Sequence, residues 1–182
     1  MKARWMIASL PVLAAACASS HAEQVRDARM ERVEEQAEAR NDQVEQREDA
    51  RKKAIDQQYQ AREDGVKAEN APGSDQSAKL LELSKERSEY QSEKRTQLDK
   101  LAVRIQAAQQ KISVLGNRAP TKLQSQLQAA QTEHQNLQQE LGKLGEVQST
   151  AWEGQKSRLN DRVSNLEDRV SKLSDDIDDV KS

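Results

Sequence analysis

The chain has a single cysteine and very few aromatic residues, and both shortages narrow the folds open to it. It contains two Trp, two Tyr and no Phe in 182 residues. Aromatic side chains bury the largest areas in compact cores, so a globular core of this length would normally use many more. With one cysteine, an intrachain disulfide is excluded as well. The composition therefore argues against a compact, disulfide-linked domain.

The sequence also lacks an excess of positive charge. It has 29 basic and 31 acidic side chains and no dense run of Lys or Arg. Nucleic-acid surfaces and basic membrane-surface helices both depend on clustered cations, so we expect no nucleic-acid partner. Glu, Gln, Lys, Arg, Ala, Ser and Leu dominate instead, which is typical of long helices with narrow apolar seams. We therefore predict an all-α, elongated coiled-coil protein.

Residues that could carry catalysis are scarce. His21 and His134 are the only histidines, and neither belongs to a spacing that is typical of a metal site. There is no Gly-rich phosphate loop and no Ser/His/Asp set. We expect no enzyme activity, no metal, no cofactor and no small-molecule substrate. His134 falls on a predicted apolar seam, where it is either a pH-sensitive group or a tolerated polar residue.

The first seventeen residues have the order of a bacterial export signal. Lys2 and Arg4 precede an apolar stretch over residues 5–16, which ends in small residues before Cys17. The stretch is too short for a membrane-spanning helix, which needs about 20 apolar residues. We therefore predict a signal peptide over residues 1–16. Its removal would leave 27 basic and 31 acidic side chains, a net charge of −4.

Ala14-Ala15-Ala16-Cys17 resembles the lipobox of bacterial lipoproteins, although members usually have Leu at the position of Ala14. The resemblance implies that Cys17 is acylated, carries palmitate and begins the mature chain, with residues 17–27 as a lipidated tether. It also implies a membrane anchor on the periplasmic side of the outer membrane. Cleavage after Ala22, which would release a soluble periplasmic protein, stays open as the alternative.

An eleven-residue repeat occupies residues 28–71. Ala-Arg pairs recur at 28–29, 39–40, 50–51 and 61–62, and an apolar residue follows each pair at a fixed distance: Val33, Val44, Ile55 and Val66. Eleven residues complete three helical turns, so these apolar residues share one face of a continuous helix. The face is thin, because Arg29, Arg40, Arg51 and Arg62 also lie on it. Whether this helix packs on the rest of the chain stays open.

Two further apolar seams follow the repeat, and residues that oppose helix formation precede and separate them. Residues 72–76 contain Pro72 and Gly73 and are predicted as a linker. Gly116 and Pro120 bracket a helix–helix turn over 116–120. We therefore predict an antiparallel coiled-coil hairpin over 77–158. Its predicted core consists of Leu83, Leu98, Leu101, Ile105, Ile112, Leu123, Leu127, Leu137, Leu141 and Trp152.

The last helix is predicted to continue past the hairpin as a heptad arm over 159–182. Its seam residues are Leu159, Val163, Leu166, Val170, Leu173, Ile177 and Val180. Leu alternates with Val or Ile, as in parallel two-stranded coils, so this arm is predicted to form a homodimer. In that dimer Arg162 would approach Glu167 of the second copy. Packing on the first helix near residues 59–66 is the alternative.

The layout, with a lipobox-like signal and terminal heptads, is similar to that of Braun-type murein lipoproteins. In those proteins a terminal lysine joins the cell wall, whereas here Ser182 follows Lys181. The expected function is a non-catalytic spacer or adaptor between the outer membrane and another envelope protein or the cell wall. A periplasmic helical chaperone, an activator of an envelope enzyme and a stress-protective repeat protein remain alternatives.

Overall fold

A computed structural model describes residues 13–68, 74–146 and 149–181, with side-chain environments for 21–65, 77–145 and 150–180. The described backbone is helical almost throughout, which confirms the all-α prediction. The four α-helices are α1 (Leu13–Ala68), α2 (Ser74–Leu115), α3 (Thr121–Lys143) and α4 (Ser149–Lys181). Residues 1–12 of the predicted signal, residues 69–71 at the end of the predicted repeat helix and residues 72–73 of the predicted linker lie outside the described residues.

Helices α2 and α3 pack antiparallel about a tight turn. After α2 ends at Leu115, Gly116 takes a positive φ of 56°, and a 3-10 turn covers Gly116–Arg118. Glycine is the residue that tolerates this conformation without a Cβ clash. Pro120 directly precedes α3, where its fixed φ suits a helix start. Farther along, the Nε2 of His134 donates to the carbonyl oxygen of Leu98 at 2.9 Å, so this side chain is satisfied within the α2–α3 contact.

The last helix of the sequence prediction is interrupted, and this corrects the predicted hairpin over 77–158. Helix α3 ends at Lys143, a 3-10 turn follows over Leu144–Glu146, and α4 starts at Ser149. The chain reverses there, so α4 lies beside both α3 and α2. Contacts with α2 advance together along both helices, so the two run parallel: Tyr90 with Asn160, Arg104 with Ser171 and Lys111 with Asp178. Gly142 and Gly145 lie at this reversal and supply weak helical propensity.

Helix α1 runs antiparallel along α2. Their side-chain contacts descend along one helix as they ascend along the other: Glu34 with Lys111, Glu45 with Lys100 and Tyr59 with Ser84. Val33 is buried, and Val44 and Ile55 are half-buried, so the eleven-residue repeat turns its apolar face inward. The predicted tether over 17–27 is instead part of α1, which begins at Leu13.

Two clusters of buried residues form the core. One joins α2, α3 and α4 through residues such as Leu98, Leu137, Leu159 and Leu166. The other joins the end of α2 and the start of α3 to the end of α4 and to Met30 of α1; its members are Met30, Ala108, Ile112, Leu115, Leu123, Leu173 and Ile177. Met30 is only 2% exposed. Helix α1 therefore enters the core at Met30, and its earlier residues extend beyond this end of the bundle.

Candidate functional site

The part of α1 that carries Cys17 extends beyond the bundle as a helix. We call residues 17–29 the stalk. Cys17 lies within α1, and its side chain is outside the described residues. Among residues 21–29 only Arg26 is half-buried, and the others are exposed. Thirteen residues separate Cys17 from Met30, which corresponds to about 20 Å of helix. A group attached at Cys17 would thus stand well clear of the packed core.

A cluster of aromatic and cationic side chains holds the first turns of α4 on α2; we call it the aromatic cluster. The Tyr90 and Trp152 rings meet edge to face with centroids 5.5 Å apart. The Arg87 guanidinium lies 5.0 Å from the Trp152 ring, and the Lys94 and Lys156 ammonium groups lie 5.5 and 5.7 Å from the Tyr90 ring. Cations at these distances are attracted by the negative ring faces, which adds to the gain from burial.

Hydrogen bonds and ion pairs complete the aromatic cluster. The Tyr90 hydroxyl donates toward the Lys156 carbonyl and the Asn160 side-chain oxygen, both at 3.0 Å. Burial raises the pKa of Tyr90 to about 12, and the charges of Glu93 and Glu140 add to the effect. Lys156 donates to Glu86 at 2.7 Å, and this bond lowers the pKa of the Glu86 carboxyl.

Trp152 is an interior residue of the bundle. The sequence placed it in the hairpin core, and it is 2% exposed here. It reaches α2 from α4, a helix separate from α3, instead of from the second helix of the predicted hairpin. Three buried nitrogens of the cluster, Trp152 Nε1 with Nε and Nη2 of Arg87, form no hydrogen bond with any residue that the structure describes.

The residues predicted for self-association are buried inside this chain. Leu159, Leu166, Leu173 and Ile177 are 0% exposed, Val163 and Val170 are at most 4% exposed, and Val180 is half-buried. They contact α2 and α3, and the last of them lie near Met30. Helices α2 and α3 therefore cover the seam that the sequence assigned to a second copy. The alternative contact with residues 59–66 is also wrong, because Met30 lies at the opposite end of the α1–α2 contact.

Arg162 shows the same intrachain pairing. Instead of facing Glu167 of another copy, it bonds to Glu133 and Glu140 of α3, with Nη2 2.8 Å from Glu133. The bond to Glu133 and the two carboxylate charges raise the pKa of Arg162. Arg162 thus bridges two carboxylates of α3, and these charge-assisted bonds join α3 to α4 and hold the reversed helix in place.

Most of the predicted hairpin core is buried, although α4 shares in its burial. Leu83 and Leu127 are half-buried; Leu98, Leu101, Ile105, Ile112, Leu123, Leu137, Leu141 and Trp152 are all buried. The sequence did not assign the cations of the aromatic cluster. The sequence contained a pattern that could have predicted these contacts, because Arg87 and Lys94 lie three and four residues from Tyr90 on one helix face.

No group of three or more His, Cys, Asp or Glu side chains that could hold a metal occurs among the described residues. None of the helices in the described part of the chain is long and apolar enough to cross a membrane. No protein-family model, curated protein or solved structure matches this chain.

Proposed function

We propose that this chain is a non-catalytic lipoprotein of the bacterial envelope, anchored in the outer membrane through an acylated Cys17. In this proposal the helical bundle is a coiled-coil spacer or adaptor that reaches from the membrane toward another envelope component. The proposal rests on the lipobox-like sequence before Cys17 together with the position of that residue on the stalk.

The observation that carries the proposal is the continuity of α1. This helix has 56 residues and runs from the candidate anchor into the bundle without a break. From Cys17 to Ala68 it covers about 77 Å at 1.5 Å per residue. A lipid at Cys17 would therefore be rigidly connected to the far end of the α1–α2 pair. A flexible tether would leave the distance between the lipid and the far end of the bundle variable.

The far end also carries a candidate contact for a partner. Leu80 is 63% exposed, whereas the only other exposed large apolar side chain among the described residues is Val25 on the stalk, at 39%. Exposed single apolar residues are common, so Leu80 marks a position to test. A photoreactive residue at position 80 should cross-link an envelope component in cells, and one at the exposed position 47 should not.

Labelling with palmitate tests the anchor directly. Cells that express the chain should incorporate labelled palmitate into it, and the protein should partition into detergent. Cys17→Ser should abolish both properties, because the thiol is the acylated group, whereas Ser20→Ala should leave both intact. A mature protein that begins at Glu23 and carries no palmitate would contradict the proposal and support the soluble alternative.

A further inference from the structure

A polar groove lies between α1 and α2 near the stalk. It has a volume of about 500 Å³, and its polar lining includes Arg29, Arg32 and Gln36 of α1 with Gln106 and Gln110 of α2. The apolar side chains of Val33 and Val114 also line it. No carboxylate is among the described residues that line it, although the whole chain has 31 acidic side chains. Arg29 and Arg32 form no ion pair with other described residues. We call this the basic groove.

Helix α4 presents a complementary surface on its outer side. Asp161, Asp168 and Asp175 recur every seven residues, Asp179 follows one turn later, and all four are exposed. The exposed Arg158 and Lys172 lie beside them, so the negative charge is concentrated at Asp175 and Asp179 near the end of the helix. The core of the bundle is formed by the buried apolar residues of each heptad. The outward positions are not part of it, so the aspartates there are not needed for packing. The exposed small residues Ser157 and Ser164 lie beside these aspartates, so another helix pair can approach this side of α4 closely. We call this the acidic face.

The basic groove and the acidic face lie at the same height along the bundle. Lys111 binds Glu34 at 2.6 Å and Asp178 at 3.3 Å, so residues 34, 111 and 178 mark one level. Because α1 and α4 run in opposite directions, Arg32 and Asp179 both lie slightly toward the stalk from that level. With 1.5 Å of rise per residue, they differ in height by only about 1.5 Å. Asp175 likewise lies within about 2 Å of the height of Gln36.

We propose that the basic groove binds the acidic face of a second copy of this chain, with the two copies side by side and parallel. Asp179 of one copy pairs with Arg32 of the next, and Asp175 accepts a hydrogen bond from the Gln36 amide. The charges of the two surfaces are opposite, and matching heights let them meet without a longitudinal shift. The parallel arrangement rests on the proposed anchor, because copies held at Cys17 in one membrane share an orientation.

The geometry also determines the kind of assembly. The groove is formed by α1 and α2 and the acidic face by α4, so each copy offers two different surfaces and the contact is heterologous. Contacts of this type form rows or rings. Exposed ion pairs each contribute little to binding, so association in dilute solution is weak. Confinement at a membrane raises the effective concentration and favours the assembly.

Zero-length cross-linking on vesicles tests the proposal. The full-length chain, unacylated, is coupled through the Cys17 thiol to a maleimide phospholipid, which imposes anchoring whether or not cells acylate this residue. Failure of acylation in cells and failure of self-association are therefore separate results. In the Arg32→Lys variant, a carbodiimide should join the new amine to Asp179. Mixing copies with light and heavy nitrogen identifies links between molecules by mass.

We expect mixed-isotope peptides that join residue 32 to Asp179. Arg32→Glu or Asp179→Arg should each reduce the yield of covalent dimers, formed through native lysines, by about tenfold, which corresponds to about 1.4 kcal/mol. The double variant should restore the yield, because the reversed charges attract again. Arg47→Glu changes an exposed residue of α1 outside the groove and should leave the yield of covalent dimers unchanged. Absence of the mixed-isotope peptide, or failure of the double variant to recover while circular dichroism shows intact helices, would overturn the proposal.

Discussion

The Tyr90 ring meets the Trp152 ring edge-on, with ring centroids 5.5 Å apart and an interplanar angle of 80°. Sixty-two residues separate the two in sequence, and they belong to helices that run parallel. In the mature chain of the proposed lipoprotein, Trp152 is the only tryptophan, since Trp5 leaves with the signal. The contact therefore joins the start of α4 to α2 and provides a fluorescent probe of that junction.

Trp152→Ala should reduce the free energy of unfolding by about 3–5 kcal/mol, because it removes a fully buried ring and leaves a cavity. Tyr90→Phe keeps the ring but loses the hydroxyl bonds to α4, and should cost only about 1 kcal/mol. Urea unfolding followed by circular dichroism measures both. Ala151→Ser, at an exposed neighbouring position, serves as the control. A cost below 1 kcal/mol for Trp152→Ala would contradict the interior position of this ring.

Stability should fall at alkaline pH as Tyr90 ionises. Its pKa is raised to about 12 from the ordinary value of 10.0, so the folded state holds the phenol proton more tightly than the unfolded state. The resulting stabilisation is complete below pH 10 and is lost as the pH rises toward 12. In the Tyr59→Phe variant, absorbance near 295 nm reports Tyr90 alone. The loss of stability between pH 10 and 12 should shrink when Tyr90 is also replaced by Phe.

Val170→Asp should unfold the bundle instead of merely separating two copies. Val170 is 1% exposed within the chain, and an unpaired carboxylate there should cost about 3 kcal/mol or more. Thermal melting should show a large loss of stability even at low protein concentration. Ser164→Asp, on the outer side of the same helix, should change stability by no more than about 0.5 kcal/mol. Retention of a stable α2–α3 pair in Val170→Asp would instead support an independent terminal arm.

Two glycine substitutions should act in opposite directions. Gly154 lies inside α4 with open space around its missing Cβ, so Gly154→Ala should stabilise the chain by about 1 kcal/mol through helix propensity. Gly116 has a positive φ of 56°, so Gly116→Ala should destabilise by about 1–2 kcal/mol through backbone strain. Thermal melting of the two variants gives the comparison. A change in stability of the same sign in both variants would contradict the turn geometry at Gly116.

The sequence alone determined the helical class and much of what is buried. Seam residues such as Leu98, Leu137 and Leu166 recur at helical spacing, and a face that must leave water is visible in that spacing without any structure. Gly116 and Pro120 oppose helix continuation by local backbone chemistry, and α2 ends and α3 begins beside them. The Val and Ile residues of the eleven-residue repeat share one face for the same geometric reason.

Only the tertiary structure decided which helix covers which seam. The heptad pattern shows that Leu159 and Val170 must be buried. The hydrophobic effect is non-directional, however, so it does not specify whether the helices that bury them belong to the same chain or to another. The seam also continues in register from Leu141 to Trp152, which conceals the reversal at Leu144–Glu146. Once α4 folds back, its apolar face is buried at high effective concentration within the same molecule. Its outer side, with Asp175 and Asp179, stays exposed.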